Sequence, residues 1–113
     1  MKKIKVFIVF SFLLGATKTD AQPPAAIQLA NHIAQKMKDT LGLTNQERAQ
    51  IYTTNISLHY QKMYVRQYNT NPDSIRIKTQ IIEGKRDSLY HIILPQPKYV
   101  LYLQKKRNLV SAN

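Results

Sequence analysis

The side chains able to do chemistry in this chain are few and scattered. His32, His59 and His91 lie 27 and 32 residues apart. None belongs to an HxxxH or HxxEH pattern, and no group of carboxylates stands at helical spacing to make a metal site with them. Ser57, Ser74 and Ser88 have no recognisable base partner, and Asp73 and Asp87 read as a helix-start residue and a surface residue. There is no Cys, so thiolate zinc sites, iron–sulfur clusters, disulfide scaffolds and a cysteine nucleophile are excluded. Three Gly leave no phosphate-cradling loop. Asn55-Ile56-Ser57 matches a glycosylation sequon, but its place inside a helical stretch makes it a chance match. The expectation is a protein that is not an enzyme, with no catalytic residues, no cofactor and no metal.

What the chain does carry is positive charge and tyrosine. It has 113 residues with 17 Lys and Arg against 6 Asp and Glu. The segment after Ala21 holds 13 basic and 5 acidic residues, a net charge of +8. Such an excess favours anionic partners: nucleic acid, an anionic membrane surface, or acidic unfolded chains. Seven Tyr are spread over two regions. Tyr52, Tyr60, Tyr64 and Tyr68 repeat at helical steps, and Tyr90, Tyr99 and Tyr102 lie in the C-terminal third. Aromatic stripes at helical spacing are more often core than binding surface, although an amphipathic aromatic face also accepts varied apolar partners.

The N-terminus sets the compartment. Met1–Lys5 is basic, Val6–Ala16 is an apolar run of eleven residues, and small residues stand at Thr19 and Ala21. That order reads as a secretory signal with cleavage before Gln22, the run being too short for a bilayer, which needs about 20 apolar residues. Residues 1–21 are therefore expected to be a signal peptide and 22–113 a single all-helical domain. An exported product disfavours nucleic acid as the anionic partner.

Four helices must position these residues. Ile27, Ala30, Ala34, Met37 and Leu41 share one face of a first helix over about Ala25–Leu41, closed by Gly42. Thr44 with Glu47 forms a capping box that opens a long second helix running to Tyr68. On it Ile51, Leu58 and Val65 form an interior stripe, and Tyr52, Ile56 and Met63 a second one, with Asn55, His59, Lys62 and Arg66 projecting between them. Asn71-Pro72-Asp73 opens the third helix. Its apolar face is Ile75, Ile82, Leu89 and Ile93, with Ile81 and Ile92 beside it, and Gly84 in its middle marks either chance or a bend or close approach of another helix. Leu94-Pro95-Gln96-Pro97 ends the third helix; Lys98–Arg107 is the fourth, with Tyr99, Tyr102 and Leu103 on one side and a frayed tail from Asn108. No segment reads as a strand.

This order of elements resembles the LTXXQ-motif family of small periplasmic Spy/CpxP-like stress proteins. The first motif is Leu43-Thr44-Asn45-Gln46-Glu47, with Glu47 where the family has Gln. A degraded second copy follows the basic Lys85-Arg86-Asp87 segment as Leu94-Pro95-Gln96-Pro97-Lys98-Tyr99, and the resemblance covers about 27–106. It implies a bent helical hairpin, a cradle-shaped antiparallel homodimer, and ATP-independent binding of unfolded or partly folded proteins in the periplasm of a Gram-negative-type cell. The alternatives are a signalling accessory that docks on a membrane sensor kinase and a basic protein that binds the anionic envelope surface. The expected client face is Tyr52, Ile56, His59, Lys62, Met63 and Arg66. Leu43, Thr44, Glu47, Leu94 and Tyr99 carry the motif and the helix cap.

Overall fold

The computed structural model describes residues 24–111, and the expected signal peptide 1–21 with its expected cleavage before Gln22 lies outside them. Among the described residues the chain is all-helical: α1 Ala25–Leu41, α2 Asn45–Tyr68, α3 Pro72–Ile93 and α4 Gln96–Leu109. None of these helices is long and apolar enough to cross a membrane.

Local chemistry accounts for the boundaries. Gly42 ends α1 in the left-handed region, φ 71° and ψ 42°, where a side chain would be strained. Its N–H donates to the Lys38 carbonyl at 2.9 Å. The Thr44 hydroxyl then accepts from the Glu47 N–H at 3.0 Å, and the Glu47 carboxylate accepts from the Thr44 N–H at 2.9 Å, a complete capping box. Asn71 caps α3 by accepting from the Asp73 and Ser74 N–H groups at 2.8 and 3.2 Å, with Pro72 at the first helical position. α4 starts at Gln96, two residues ahead of the expected Lys98, because Pro97 fits the first turn of a helix, where its missing N–H has no carbonyl to serve.

α2 is the spine, about 36 Å long by helix geometry. α1 packs on its N-terminal part, α3 runs along it in the opposite sense, and α4 returns to pack on α1 and on the end of α3. The apolar core sits where α1, α2, α3 and α4 meet. It contains Ile33, Ala34, Met37, Leu41, Leu43, Ile51, Tyr90, Leu94, Tyr102 and Leu109. Leu109 is buried there, so the chain is anchored beyond the point where fraying was expected. Leu103 is exposed: α4 rests on the core through Tyr102 and Leu109, a pair seven residues apart, and Leu103 lies off that line. On α2, Ile51 and Leu58 are fully buried and Val65 is half-buried. Val65 lies past the start of α1, where no third helix covers the α2–α3 pair among the described residues.

Gly84 has open space where a side chain would stand. Of the readings the sequence left open at this glycine, close approach of another helix is not seen among the described residues.

Candidate functional site

The centre of the molecule is polar. Asn55, read from sequence as projecting between two apolar stripes, is buried. α1 lies over that side of α2, and the Asn55 amide donates to the Ala30 carbonyl at 3.4 Å. From α3, Arg86 is buried as well, and it gives its guanidinium to three partners on two helices. Nη1 donates to Asn55 Oδ1 at 2.7 Å and to the Tyr90 hydroxyl at 2.8 Å. Nη2 donates to Glu83 Oε1 at 3.1 Å, and Nε donates to Glu83 Oε2. The Tyr90 hydroxyl in turn donates to Asn55 Oδ1. A buried guanidinium needs this degree of partnering, since an unpaired buried charge costs several kcal/mol.

Glu83 is shared. Lys62 from α2 also donates to Glu83 Oε1, so two cations converge on one carboxylate. Burial pushes the Glu83 carboxyl up, but the hydrogen bonds from Arg86 and Lys62 outweigh it and hold its pKa at about 2. Desolvation works against the Arg86 charge, and the bond to Glu83 reverses that and leaves the guanidinium harder to deprotonate than usual. Lys62 is thus a half-buried structural cation as well as a member of the expected client face.

A second polar link joins α3 to α4. The Tyr102 hydroxyl donates to Asp87 Oδ1 at 2.8 Å and Lys106 Nζ donates to Asp87 Oδ2 at 2.9 Å. Asp87, expected at the surface, is half-buried because α4 folds back across it. The Tyr90 and Tyr102 rings meet edge to face with centroids 4.9 Å apart at 67°. Burial raises both phenols, with Asp87 adding to the effect on Tyr102 and Arg86 opposing it on Tyr90. Glu47 does two jobs: it caps α2 and accepts from Lys98 of α4 at 2.8 Å. Lys98 and then Thr44 hold its carboxyl below the usual range. Of the motif residues, Leu43 and Leu94 are buried and Tyr99 is half-buried, stacked on His91 at 4.2 Å. The segment 94–99, expected to be a second motif copy, is therefore tied to the segment 43–47 through Lys98 and Glu47.

The expected client face divides. Tyr52, Ile56, His59, Lys62 and Met63 are half-buried, and Tyr52 packs against the core; Arg66 is exposed. What the sequence reading did not connect is the continuation of this face. Tyr52, Ile56, Tyr60, Tyr64 and Tyr68 follow one another at steps of four, a single row along α2. The row leaves the core as it goes: Tyr60 is 45% exposed, Tyr64 63% and Tyr68 69%. The Tyr64 and Tyr68 rings touch each other, with centroids 4.5 Å apart. The step of four was legible in the sequence; each step turns about 40° around the helix, so the row winds from the core side of α2 towards solvent as it passes the start of α1. The buried Arg86–Asn55–Tyr90 cluster was missed, and only the placement of Arg86 in line with Ile82, Leu89 and Ile93 hinted at it.

His32 and His91 are exposed and far from each other in the chain. Among the described residues no three His, Asp or Glu side chains come together as metal ligands. No protein-family model, no curated protein and no solved structure matches the chain.

Proposed function

We propose that the chain is an exported, ATP-independent holder of unfolded or partly folded proteins, a divergent relative of the LTXXQ-motif family. The observation that carries the reading is the tyrosine row of α2. One end of α2 is built into a four-helix core. The other end, with the facing part of α3, extends past α1 as a two-helix overhang among the described residues. On that overhang Tyr64 and Tyr68 stand largely in solvent, and so do Ile77 and Ile81 of α3. A monomeric protein of this size gains no stability from keeping them there, and large apolar side chains gathered in the open on one part of a molecule mark an interaction site.

The chemistry of the row suits loose, unselective capture. Tyrosine offers a large amphipathic face with little side-chain entropy to lose. Arg66, Arg76 and Lys78 place positive charge around the overhang, which favours acidic chains and speeds encounter. Met63, half-buried beside the row, adds an adaptable apolar side chain. In this reading the client face comprises Tyr52, Ile56, His59, Lys62, Met63 and Arg66 at its inner part and Tyr60, Tyr64 and Tyr68 at its outer part. A bent hairpin paired with a second copy into a cradle would set two such rows on one concave side.

The test is suppression of aggregation by the chain starting at Gln22, with several unrelated unfolding clients. The reading requires protection at near-stoichiometric ratio without ATP. It also requires that Tyr64→Ser with Tyr68→Ser remove most of that protection while circular dichroism stays helical. Equal protection by the variant moves the working surface elsewhere, and no protection of any client by the parent removes the chaperone reading altogether.

A further inference from the structure

Between α1, α2 and α3 lies a small cavity of about 80 Å³, the room of two to three waters at about 30 Å³ each. One side is polar: Asn55, His59, Lys62 and Arg86. The other is aliphatic, with Leu29 and Ile33. We infer that this cavity is a binding site for a single carboxylate group, taken either as a small free carboxylate or as an acidic side chain of a bound protein.

Charge is the first reason. Lys62 and Arg86 share one carboxylate, Glu83, so the cluster beside the cavity holds two cations and one anion. Arg86 is buried and Lys62 half-buried, and the one positive charge that Glu83 leaves uncompensated between them is costly there unless a counter-ion enters. Donor capacity is the second. Lys62 has three N–H bonds, one of them used on Glu83, and the Arg86 guanidinium has five, four of them used on Glu83, Asn55 and Tyr90. The remaining donors, with the His59 ring and the second N–H of the Asn55 amide, belong to side chains that line the cavity. The aliphatic wall is the third. A halide or phosphate has no use for Leu29 and Ile33, whereas a carboxylate brings its own carbon atom or short alkyl tail to lie against them.

An acetate titration followed by NMR on the unmodified protein reads the site directly. The expected result is a saturable shift of the Ala30, His59 and Arg86 signals with acetate, larger than with chloride at the same ionic strength and pH. Lys62→Met should weaken acetate binding by about tenfold or more, the worth of one hydrogen bond to a charged group. Leu29→Glu, which tethers a carboxylate at the cavity wall, should lower the affinity for added acetate by local competition. A short neutral peptide bearing one Glu, set against its Gln counterpart, separates the two sources. Competition by the Glu peptide with acetate assigns the site to side chains, and its absence assigns it to the free anion. Equal shifts with acetate and chloride overturn the proposal, as does an unchanged acetate affinity in a folded Lys62→Met. The acetate titration needs no client, so its failure leaves the aggregation result standing, and the reverse holds too.

Discussion

Asn55 of α2 and Arg86 of α3 face each other across the interior, with Arg86 Nη1 donating to Asn55 Oδ1 at 2.7 Å. The same Asn55 reaches α1 through the Ala30 carbonyl, and the same Arg86 reaches Tyr90, which meets Tyr102 of α4 edge to face. One polar contact therefore keys all four helices. In a small core, polar groups of this kind fix which helix faces which, because any other register leaves a buried charge unpaired.

Arg86→Met should cost about 3 kcal/mol or more, since it strands Asn55, Tyr90 and part of Glu83 without their donor. Urea unfolding followed at the helical signal measures it. Arg86→Lys should recover only part of the loss, because an ammonium cannot match the guanidinium fork. A stability within 0.5 kcal/mol of the parent for Arg86→Met, about the scatter of surface substitutions, would place Arg86 at the surface.

Stability should fall in acid in a defined window. The folded pKa of Glu83 is depressed from 4.5 to about 2, so its contribution is fully present above pH 4.5 and is lost as the pH drops towards 2. Glu47, also depressed, acts in the same direction. In Glu83→Gln the slope of melting temperature against pH below 4.5 should be shallower than in the parent. At the alkaline end the raised phenols of Tyr90 and Tyr102 predict stability that is whole below pH 10.0 and lost above it.

The first motif can be dissected. Thr44→Ala removes the N-cap and should cost about 1 kcal/mol. Glu47→Ala removes both the return bond of the capping box and the contact with Lys98. It should therefore loosen α4 as well as α2, seen as faster amide exchange in Lys98–Tyr102. Equal exchange in α4 for the two variants would mean that the Lys98 contact holds nothing.

Gly84→Ala should stabilise the protein by about 1 kcal/mol, because the position is helical, open and exposed. A loss of stability in thermal unfolding would show that something outside the described residues fills that space.

Lys62 and Arg66 should separate in their effects. Arg66 is exposed, and Arg66→Glu should change stability by no more than about 0.5 kcal/mol. Lys62→Glu sets a second carboxylate against Glu83 and should destabilise clearly more. Client binding that weakens in Arg66→Glu at unchanged stability would tie the overhang's charge to its function.

The local level of this protein is written in short signals that act within a few residues. Gly42, the Thr44–Glu47 box, Asn71-Pro72 and Leu94-Pro95 each set a helix end through bonds or sterics inside one turn, so the helix boundaries follow from sequence almost everywhere. The two ends of α4 are the exceptions: Pro inside the first turn and Pro before a helix look alike in a sequence, and the helix runs on to Leu109 because that side chain is buried in the core. The assignment of faces is different in kind. Tyr52 and Tyr68 belong to the same row and have the same chemistry, yet one packs on the core and the other is 69% exposed. Sixteen residues at about 100° each set Tyr68 nearly opposite Tyr52 on α2, and which of the two faces is covered is decided by where α1 and α3 pack. Arg86 sits in a basic segment that reads as solvent-facing, and it is buried because Asn55, Tyr90 and Glu83 arrive from 31 residues upstream and from its own helix to satisfy it. Helix ends depend on neighbours in the chain, whereas burial of a charge depends on partners that only packing of the helices brings within reach.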